Sequence, residues 1–164
     1  FPMVVFTPKS LLRNNASFGK LDDLSDGGFQ QVIDDPTMSK NRKAVRRILL
    51  CTGKIYHDLV SDPGYAKMQH TAIVRIELLT PLPRKQVISL IESYPNVEKI
   101  VWVQEEPKNM GARAHVRRRL LEKIPKRFSD IDYAGRPYRA SPSEGYPGAH
   151  AAEQEKLIKS ALAE

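Results

Sequence analysis

Short apolar runs, rich in Val and Ile, recur along the chain with polar stretches between them. Within the polar and irregular segment 14–43, the stretch SDGGFQQVIDDP predicts a short strand or a hairpin. Apolar runs without alternation are typical of strands that are covered on both faces of a sheet. Five runs have the length and composition of strands: residues 3–6, 47–52, 72–79, 99–104 and 131–135.

Helix-like patterns occupy the intervals between these runs. Short apolar strands that alternate with helices indicate an α/β fold, with a mostly parallel sheet flanked by helices on both faces. No internal repeat or low-complexity tract is present, so residues 1–164 are predicted to form a single domain. Apolar residues at helical spacing fall in residues 55–60, 83–94, 110–124 and 148–163.

The composition fits a globular protein. The chain has 164 residues, of which 41% are hydrophobic and 27% charged. No apolar run approaches the roughly 20 residues that span a bilayer, so we expect a soluble protein without a membrane segment. The first residues have no Met start and open directly in a strand-like run, which predicts a piece of a longer polypeptide. Cys51, the sole cysteine, is predicted to be an ordinary buried thiol.

The charge is basic, with 26 Lys and Arg against 19 Asp and Glu. The cations occur in short groups flanked by acids, and aromatic residues make up only 7% of the chain. A nucleic-acid surface would interleave aromatic and basic residues, so the distribution argues against nucleic-acid binding. A solvated basic face or a site for small anions is the better interpretation.

The stretch VWVQEEPKNMGARAH, residues 101–115, raises the question of paired catalytic acids. Adjacent residues of an extended chain point to opposite sides, so Glu105 and Glu106 are not expected to share a proton. We expect one of them to bond at the end of the sheet and the other to be solvated. Gly111 predicts a close backbone approach where the next helix begins.

Signatures of catalysis and metal binding are missing from the sequence. It has no G-x-S-x-G, no Walker loop and no G-x-G-x-x-G. No spacing of His and Cys matches a zinc site, so we predict neither a catalytic residue nor a metal ligand. The four histidines are scattered, at His57, His70, His115 and His150.

The segment TPKSLLR, residues 7–13, carries the best candidate for a ligand site. Lys9, Ser10 and Arg13 follow a strand-like run and open a helical turn, where a cation, a hydroxyl and free backbone N–H groups could cradle a phosphate. The residues alone favour the alternative, in which Lys9 and Arg13 are surface charges and Ser10 caps the turn. Arg75, inside an apolar strand, needs an anionic partner, either Glu77 or a ligand's phosphate.

Five segments taken together resemble a known family. In this order they are similar to the C-terminal domain of the thiamine-diphosphate-dependent decarboxylating component of 2-oxoglutarate dehydrogenase, over the whole chain. The 2-oxoadipate-specific relatives share much of the pattern and stay as an alternative, as does a stand-alone nucleotide- or acyl-CoA-binding module. The segments are VVFTPKSLLR, LLCTGKIYHDL, AIVRIELLTPLP, VWVQEEPKNMGA and YAGRPYRASPSEGYPGAH.

The resemblance implies a supporting domain similar to the C-terminal domain of transketolases, with one antiparallel edge strand. It implies upstream domains that bind thiamine diphosphate and magnesium, a homodimer, and a lipoyl-bearing succinyltransferase component as partner. The implied reaction of the whole enzyme is oxidative decarboxylation of 2-oxoglutarate, and this piece alone is expected to be inactive. The implied compartment is the bacterial cytoplasm, or the mitochondrial matrix in a eukaryote.

The resemblance also implies a regulatory ligand. Some bacterial members respond to AMP or acetyl-CoA, and Lys9, Ser10 and Arg75 stand where the motifs match, with Arg13 as a further contact. One departure is Arg113, where many members have Trp, which predicts a changed local interface. The stretch VRRRLLEKIPKRF is also unusually basic, which indicates either a contact with an acidic partner or a solvated face.

Overall fold

The computed structural model describes residues 2–163, which group into two compact units. The first unit ends at Gln30. It consists of two 3₁₀ turns, Lys9–Leu11 and Asn15–Ser17, and the four-residue helix α1, Asp22–Ser25. None of its described residues is buried, so this unit has no hydrophobic core of its own.

The strand predicted at residues 3–6 is wrong. These residues belong to no strand or helix, although their β-branched side chains favour extended backbone. Met3, Val4, Val5 and Phe6 are between 66% and 95% exposed. Strand propensity forms a sheet only where a neighbouring strand supplies hydrogen bonds, and here no described strand pairs with the segment.

The second unit, from Gln31 onward, contains the sheet and four helices. Its strands are β1 Val32–Ile33, β2 Arg47–Cys51, β3 Thr71–Ile76, β4 Lys99–Gln104 and β5 Asp132–Gly135. Its helices are α2 Ile55–Ser61, α3 Arg84–Glu92, α4 Arg113–Leu121 and α5 Pro147–Leu162. Each of these helices falls inside or within one residue of an interval with helical spacing in the sequence.

The five strands form one sheet in the order β1-β3-β2-β4-β5. The pairs β2–β3, β2–β4 and β4–β5 are parallel, and β1 pairs antiparallel with β3, with Ile33 opposite Arg75. The predicted α/β fold with a mostly parallel sheet is therefore confirmed. The antiparallel edge strand comes from the SDGGFQQVIDDP segment, which was predicted to be a short strand or hairpin.

A buried carboxylate helps to anchor this short edge strand. Asp35 is fully buried, and its Oδ2 accepts a hydrogen bond of 2.9 Å from the backbone N–H of Ile73 in β3. Its Oδ1 accepts from the N–H groups of Thr37 and Met38, at 2.8 Å each. These bonds satisfy the buried charge and connect the end of β1 to the neighbouring strand.

The sheet has a separate hydrophobic core on each face. Ile48 and Leu50 of β2 point into the core that contains α3 and α4, while Leu49 and Cys51 point into the core that contains α2 and α5. Successive strand residues face opposite sides, so uniformly apolar strands need both cores. Among the described residues, no helix is long and apolar enough to cross a bilayer.

The topology places a crevice at the carboxyl ends of β2 and β4. The chain leaves β2 for β3 on one side, and it leaves β4 for β5 on the other. Such a change of direction between two parallel neighbours opens a gap beyond the strand ends, where α/β proteins commonly bind ligands.

Candidate functional site

One side-chain amide organises the turn that follows β4. Gln104 is buried, and its Oε1 accepts hydrogen bonds from Trp102 Nε1 at 2.8 Å and from the backbone N–H of Arg113 at 3.0 Å. Its Nε2 lies 2.8 Å from the carbonyl oxygen of Met110 and 3.0 Å from that of Pro107. The amide therefore joins the strand, the turn and the first residue of α4.

Gly111 provides the room for this arrangement. Its φ is +65°, and a Cβ atom at this position would lie 3.0 Å from both the Nε2 and the Oε1 of Gln104. A side chain here is therefore disfavoured twice, by the backbone conformation and by the contact. The close backbone approach expected from the sequence is confirmed.

The two glutamates of the turn have different surroundings. The Oε1 atom of Glu105 lies 2.9 Å from Lys54 Nζ and accepts a hydrogen bond of 2.9 Å from Gln154. Glu106 is exposed, and it lines the crevice. Glu105 thus bonds beyond the end of the sheet while Glu106 is open to solvent, as the sequence predicted.

The carboxylate of Glu105 belongs to a network that connects α2, β4 and α5. Lys54 pairs with Asp58 of α2 as well as with Glu105. Gln154 of α5 donates to Asp58 at 2.8 Å, and it accepts from Arg136 at 3.1 Å. Charged and amide side chains from three elements thus pair through ion pairs and hydrogen bonds beyond the carboxyl end of the sheet.

A buried ion pair lies at the centre of this network. Arg136 follows β5 directly, and its side chain is 3% exposed while that of Glu144 is 4% exposed. The two are joined by a hydrogen bond of 2.8 Å from Arg136 Nε, and Arg136 Nη1 also donates to the carbonyl oxygen of Glu105 at 2.8 Å. The hydrogen bond from Arg136 lowers the pKa of Glu144 to about 2, against the opposing effect of burial.

Further partners surround Glu144. Arg139 donates to it at 2.8 Å and reaches Glu153 of α5 at 2.8 Å with its other nitrogen. The Nδ1 atom of His150, also in α5, lies 3.2 Å from Glu144. The loop between β5 and α5 is thereby held against the start of α5 by charge-assisted bonds.

The crevice itself has a volume of about 360 Å³. Its walls combine apolar groups with two hydroxyls, an imidazole and the carboxylate of Glu106, and His115 is held by a 2.9 Å bond between its Nε2 and the carbonyl oxygen of Leu79. The lining residues come from the segments after β2 and β3, from β4 and the turn that follows it, and from α4: Thr52, Leu79, Thr80, Trp102, Gln104, Glu106, Gly111, Ala112 and His115.

Arg113, noted in the sequence as a departure from the resembled family, is the first residue of α4. Its guanidinium lies 5.2 Å from the ring centre of Tyr133 in β5. A planar cation that stacks on an aromatic ring keeps part of the packing that an indole would supply. This contact is the structural consequence of the departure noted in the sequence.

The residues predicted to contact a nucleotide belong to different units. Lys9 and Ser10 lie in the first 3₁₀ turn and Arg13 follows it, and all three are exposed. Arg75 is the penultimate residue of β3 in the second unit, where Glu77 accepts a 2.9 Å bond from it and the Tyr56 ring lies 4.5 Å below its guanidinium. Of the two partners proposed for Arg75, the structure supplies Glu77.

Sequence reasoning missed the residues that hold the strand ends together. Gln104, Arg136 and Glu144 were not singled out, although Gln104 ends β4 and Arg136 follows β5 directly. The available signal was a polar residue at the last position of an apolar strand, as at Gln104, or directly after one, as at Arg136. Their partners are up to 31 residues away in sequence, so spacing alone could not identify them.

The ionised side chains of the site neutralise one another in ion pairs. Burial raises the pKa of the Cys51 thiol to about 12, which is opposite to what a nucleophile needs and confirms an ordinary buried thiol. Within residues 2–163, no group of three or more His, Cys, Asp or Glu side chains is arranged to hold a metal ion. The ionised side chains beyond β2, β4 and β5 join the strand ends to α2 and α5.

The fold is that of an α/β domain, with a mostly parallel five-stranded sheet and one antiparallel edge strand. The family described as 2-oxoglutarate dehydrogenase C-terminal matches residues 18–162. The chain belongs to this family.

Relatives match nearly the whole chain. It is 42% identical to the 2-oxoglutarate dehydrogenase E1 component of Geobacillus sp. (strain WCH70) and 41% identical to that of Cupriavidus necator, over 98% and 99% of this chain and 17% of each relative. It is 41% identical to the multifunctional 2-oxoglutarate metabolism enzyme of Mycobacterium sp. (strain KMS), over 99% of this chain and 13% of the relative. The chain thus spans less than a fifth of these relatives.

Replacement of Gly111 by Ala is expected to destabilise the domain by about 1–3 kcal/mol, because the φ of +65° and the Gln104 contact both oppose a Cβ atom. Urea unfolding followed by circular dichroism measures the change. Gly145→Ala is the matched control, since a Cβ there meets no atom within 4 Å. Equal stability of the two variants would contradict the role assigned to Gly111.

Replacement of Glu144 by Gln is expected to cost about 3 kcal/mol near neutral pH, because Arg136 loses its buried counter-charge. Since the folded-state pKa of Glu144 is lowered from 4.5 to about 2, the stabilisation is present above the unfolded value and is lost as pH falls from 4.5 towards 2. The unfolding free energies of wild type and variant should therefore converge over this range.

The control for this pH series is Glu98→Gln, whose side chain is 77% exposed and 3.7 Å from Arg46. It should change stability by no more than about 0.5 kcal/mol at any pH. A wild-type advantage over Glu144→Gln that stays constant from pH 7 to about 2 would refute the charge-based explanation.

Proposed function

We propose that this chain is the C-terminal supporting domain of the E1 component of a 2-oxoglutarate dehydrogenase. Family membership over residues 18–162, together with relatives that carry this name and extend far beyond the match, supports the proposal. The whole enzyme decarboxylates 2-oxoglutarate oxidatively and passes the succinyl group to a lipoyl carrier. The relatives' names favour 2-oxoglutarate over 2-oxoadipate as the substrate.

The cofactor chemistry is assigned to the rest of the enzyme. Thiamine diphosphate and magnesium, which the family implies, need acidic or amide oxygen ligands for the metal. The acids beyond the strand ends, such as Glu105 and Glu144, are already paired with Lys54 and Arg136. The described residues therefore do not fit this group, and no step of the reaction is assigned to them.

The first unit supplies a surface for packing on the remainder of the enzyme. Many of its apolar side chains are exposed, and exposed apolar surface in this amount is typical of an interface. Upstream domains of the same polypeptide and the partner of a homodimer are the proposed occupants. The side chains concerned are Met3, Val4, Val5, Phe6, Leu12, Phe18, Leu21, Leu24 and Phe29, all between 62% and 95% exposed.

The proposed setting is the multienzyme complex of the tricarboxylic acid cycle. There, a lipoyl-bearing succinyltransferase component receives the acyl group from the E1 component. The similar proteins come from bacteria, which supports a bacterial cytoplasm as the location.

A regulatory role is proposed for Lys9, Ser10, Arg13 and Arg75. AMP or acetyl-CoA is the proposed ligand, and each of these residues is proposed as a contact for its phosphates. The exposure of Lys9, Ser10 and Arg13 supports this role, because their polar groups are open to an incoming anion. Arg75 would exchange part of its contact with Glu77 for the ligand, since its side chain is 25% exposed.

The size of the native polypeptide tests the main proposal. An antibody raised against this chain should detect, in a lysate of the source organism, a band several times larger than 18.6 kDa. Immunoprecipitation of that band should recover 2-oxoglutarate decarboxylation. A single band at the size of this chain would overturn the proposal and would favour the stand-alone nucleotide- or acyl-CoA-binding module.

Replacement of Lys9 by Ala in the full-length enzyme should abolish most of its response to AMP or acetyl-CoA, because one phosphate contact is lost. The measured quantity is the ratio of activities with and without each ligand. Lys20→Ala, which removes another exposed cation of the same unit, should keep the response. If both variants respond like wild type, the proposed site is wrong.

A further inference from the structure

Helices α3 and α4 pack side by side and present a concentration of cations. The name α3–α4 basic face is used here for six cations of α3, α4 and the segment after α4, of which the first two and Lys123 line one groove: Arg84, Lys85, Arg118, Lys123, Lys126 and Arg127. All but Arg84 are exposed. Arg84 joins the two helices through a 2.8 Å ion pair with Glu122, and a groove of about 350 Å³ places Lys123 beside Arg84 and Lys85.

Most of these cations have no internal counter-ion. Among residues 2–163, no carboxylate lies within 4.0 Å of the side-chain nitrogens of Lys85, Arg118, Lys123 or Lys126. Elsewhere on the same unit, Arg117 pairs with Asp130 at 2.7 Å and Lys99 pairs with Asp132 at 3.0 Å. The face therefore carries an excess of positive charge that the fold itself does not use.

The placement of two of the cations opposes the local physics of the helix. Arg84 and Lys85 are the first two residues of α3, whose first turn has no acid. The amino end of a helix carries partial positive charge and favours acids, so these positions work against the stability of α3. Arg118 lies in the last turn of α4, where the helix dipole favours a cation. Lys123 and Lys126 lie beyond the end of that helix. Local rules are commonly broken where a surface serves function.

From these observations we infer that the α3–α4 basic face is a docking surface for a carboxylate-rich protein surface. Two acids, Glu92 and Glu122, interrupt the positive field, and such interleaved charge complements a protein with mixed charges better than a continuous phosphate backbone. The aromatic residue next to the face, Phe128, is 7% exposed, so it offers no ring on which a base could stack.

Charge reversal tests this docking surface without disturbing the fold. The variant Lys85→Glu/Arg118→Glu/Lys123→Glu changes three exposed side chains that have no ion pair. Its melting temperature should stay close to that of wild type, since Lys85→Glu also places an acid at the start of α3. The matched control is Lys40→Glu/Lys43→Glu/Lys67→Glu, which makes the same change of net charge at exposed positions away from the face.

The binding probe is a fluorescent polyglutamate peptide of about 20 residues, measured by anisotropy at low ionic strength with the chain and with the full-length protein. The face variant should lose about tenfold or more in affinity, while the control should lose no more than about threefold. A duplex DNA of equal charge serves as the comparison probe.

Three results would overturn the inference. If the face variant and the control lose the same affinity for the peptide, binding depends on net charge alone. Tighter binding of DNA, with the same dependence on the face, would assign the surface to nucleic acid. Absence of peptide binding by wild type would leave the face without a docking function. None of these outcomes depends on the E1 assignment, which the size and activity of the native polypeptide decide separately.

Discussion

The side-chain amide of Gln104 is the contact on which the carboxyl end of the sheet depends. A buried amide must satisfy its donors and its acceptor, and here they are met by Trp102 in the same strand, by carbonyl oxygens of the turn and by the first N–H of α4. The turn geometry in turn requires glycine at 111. Strand, turn and helix are thus joined by one polar group that follows four apolar residues, 100–103, of β4.

The same end of the sheet is held from the other side by ions. Arg136 and Glu144 are nearly excluded from water, and they connect through Gln154 and Glu105 to the start of α2. Burying charged groups is unfavourable unless each charge is paired. Because the charges of this network are paired with one another, one arrangement of the loop after β5 is favoured.

Charge has different roles in different parts of the molecule. Beyond the strand ends, cations and acids neutralise one another, and Arg75 finds Glu77 and the ring of Tyr56. On the α3–α4 basic face, cations without internal partners remain directed at solvent. Part of the overall excess of positive charge therefore lies on this face, where it is available to a partner.

Apolar periodicity alone determined the α/β class, four strands and four long helices, because burial on both faces of a sheet demands uniformly apolar strands and one-sided helices. Strand propensity at residues 3–6 was not sufficient, since a strand exists only with a neighbour. The sequence alone also predicted different surroundings for Glu105 and Glu106, because adjacent residues of an extended chain point to opposite sides. The roles of Gln104, Arg136 and Glu144 were decided only by the tertiary structure, because hydrogen bonds and ion pairs depend on distances between elements that lie far apart in sequence.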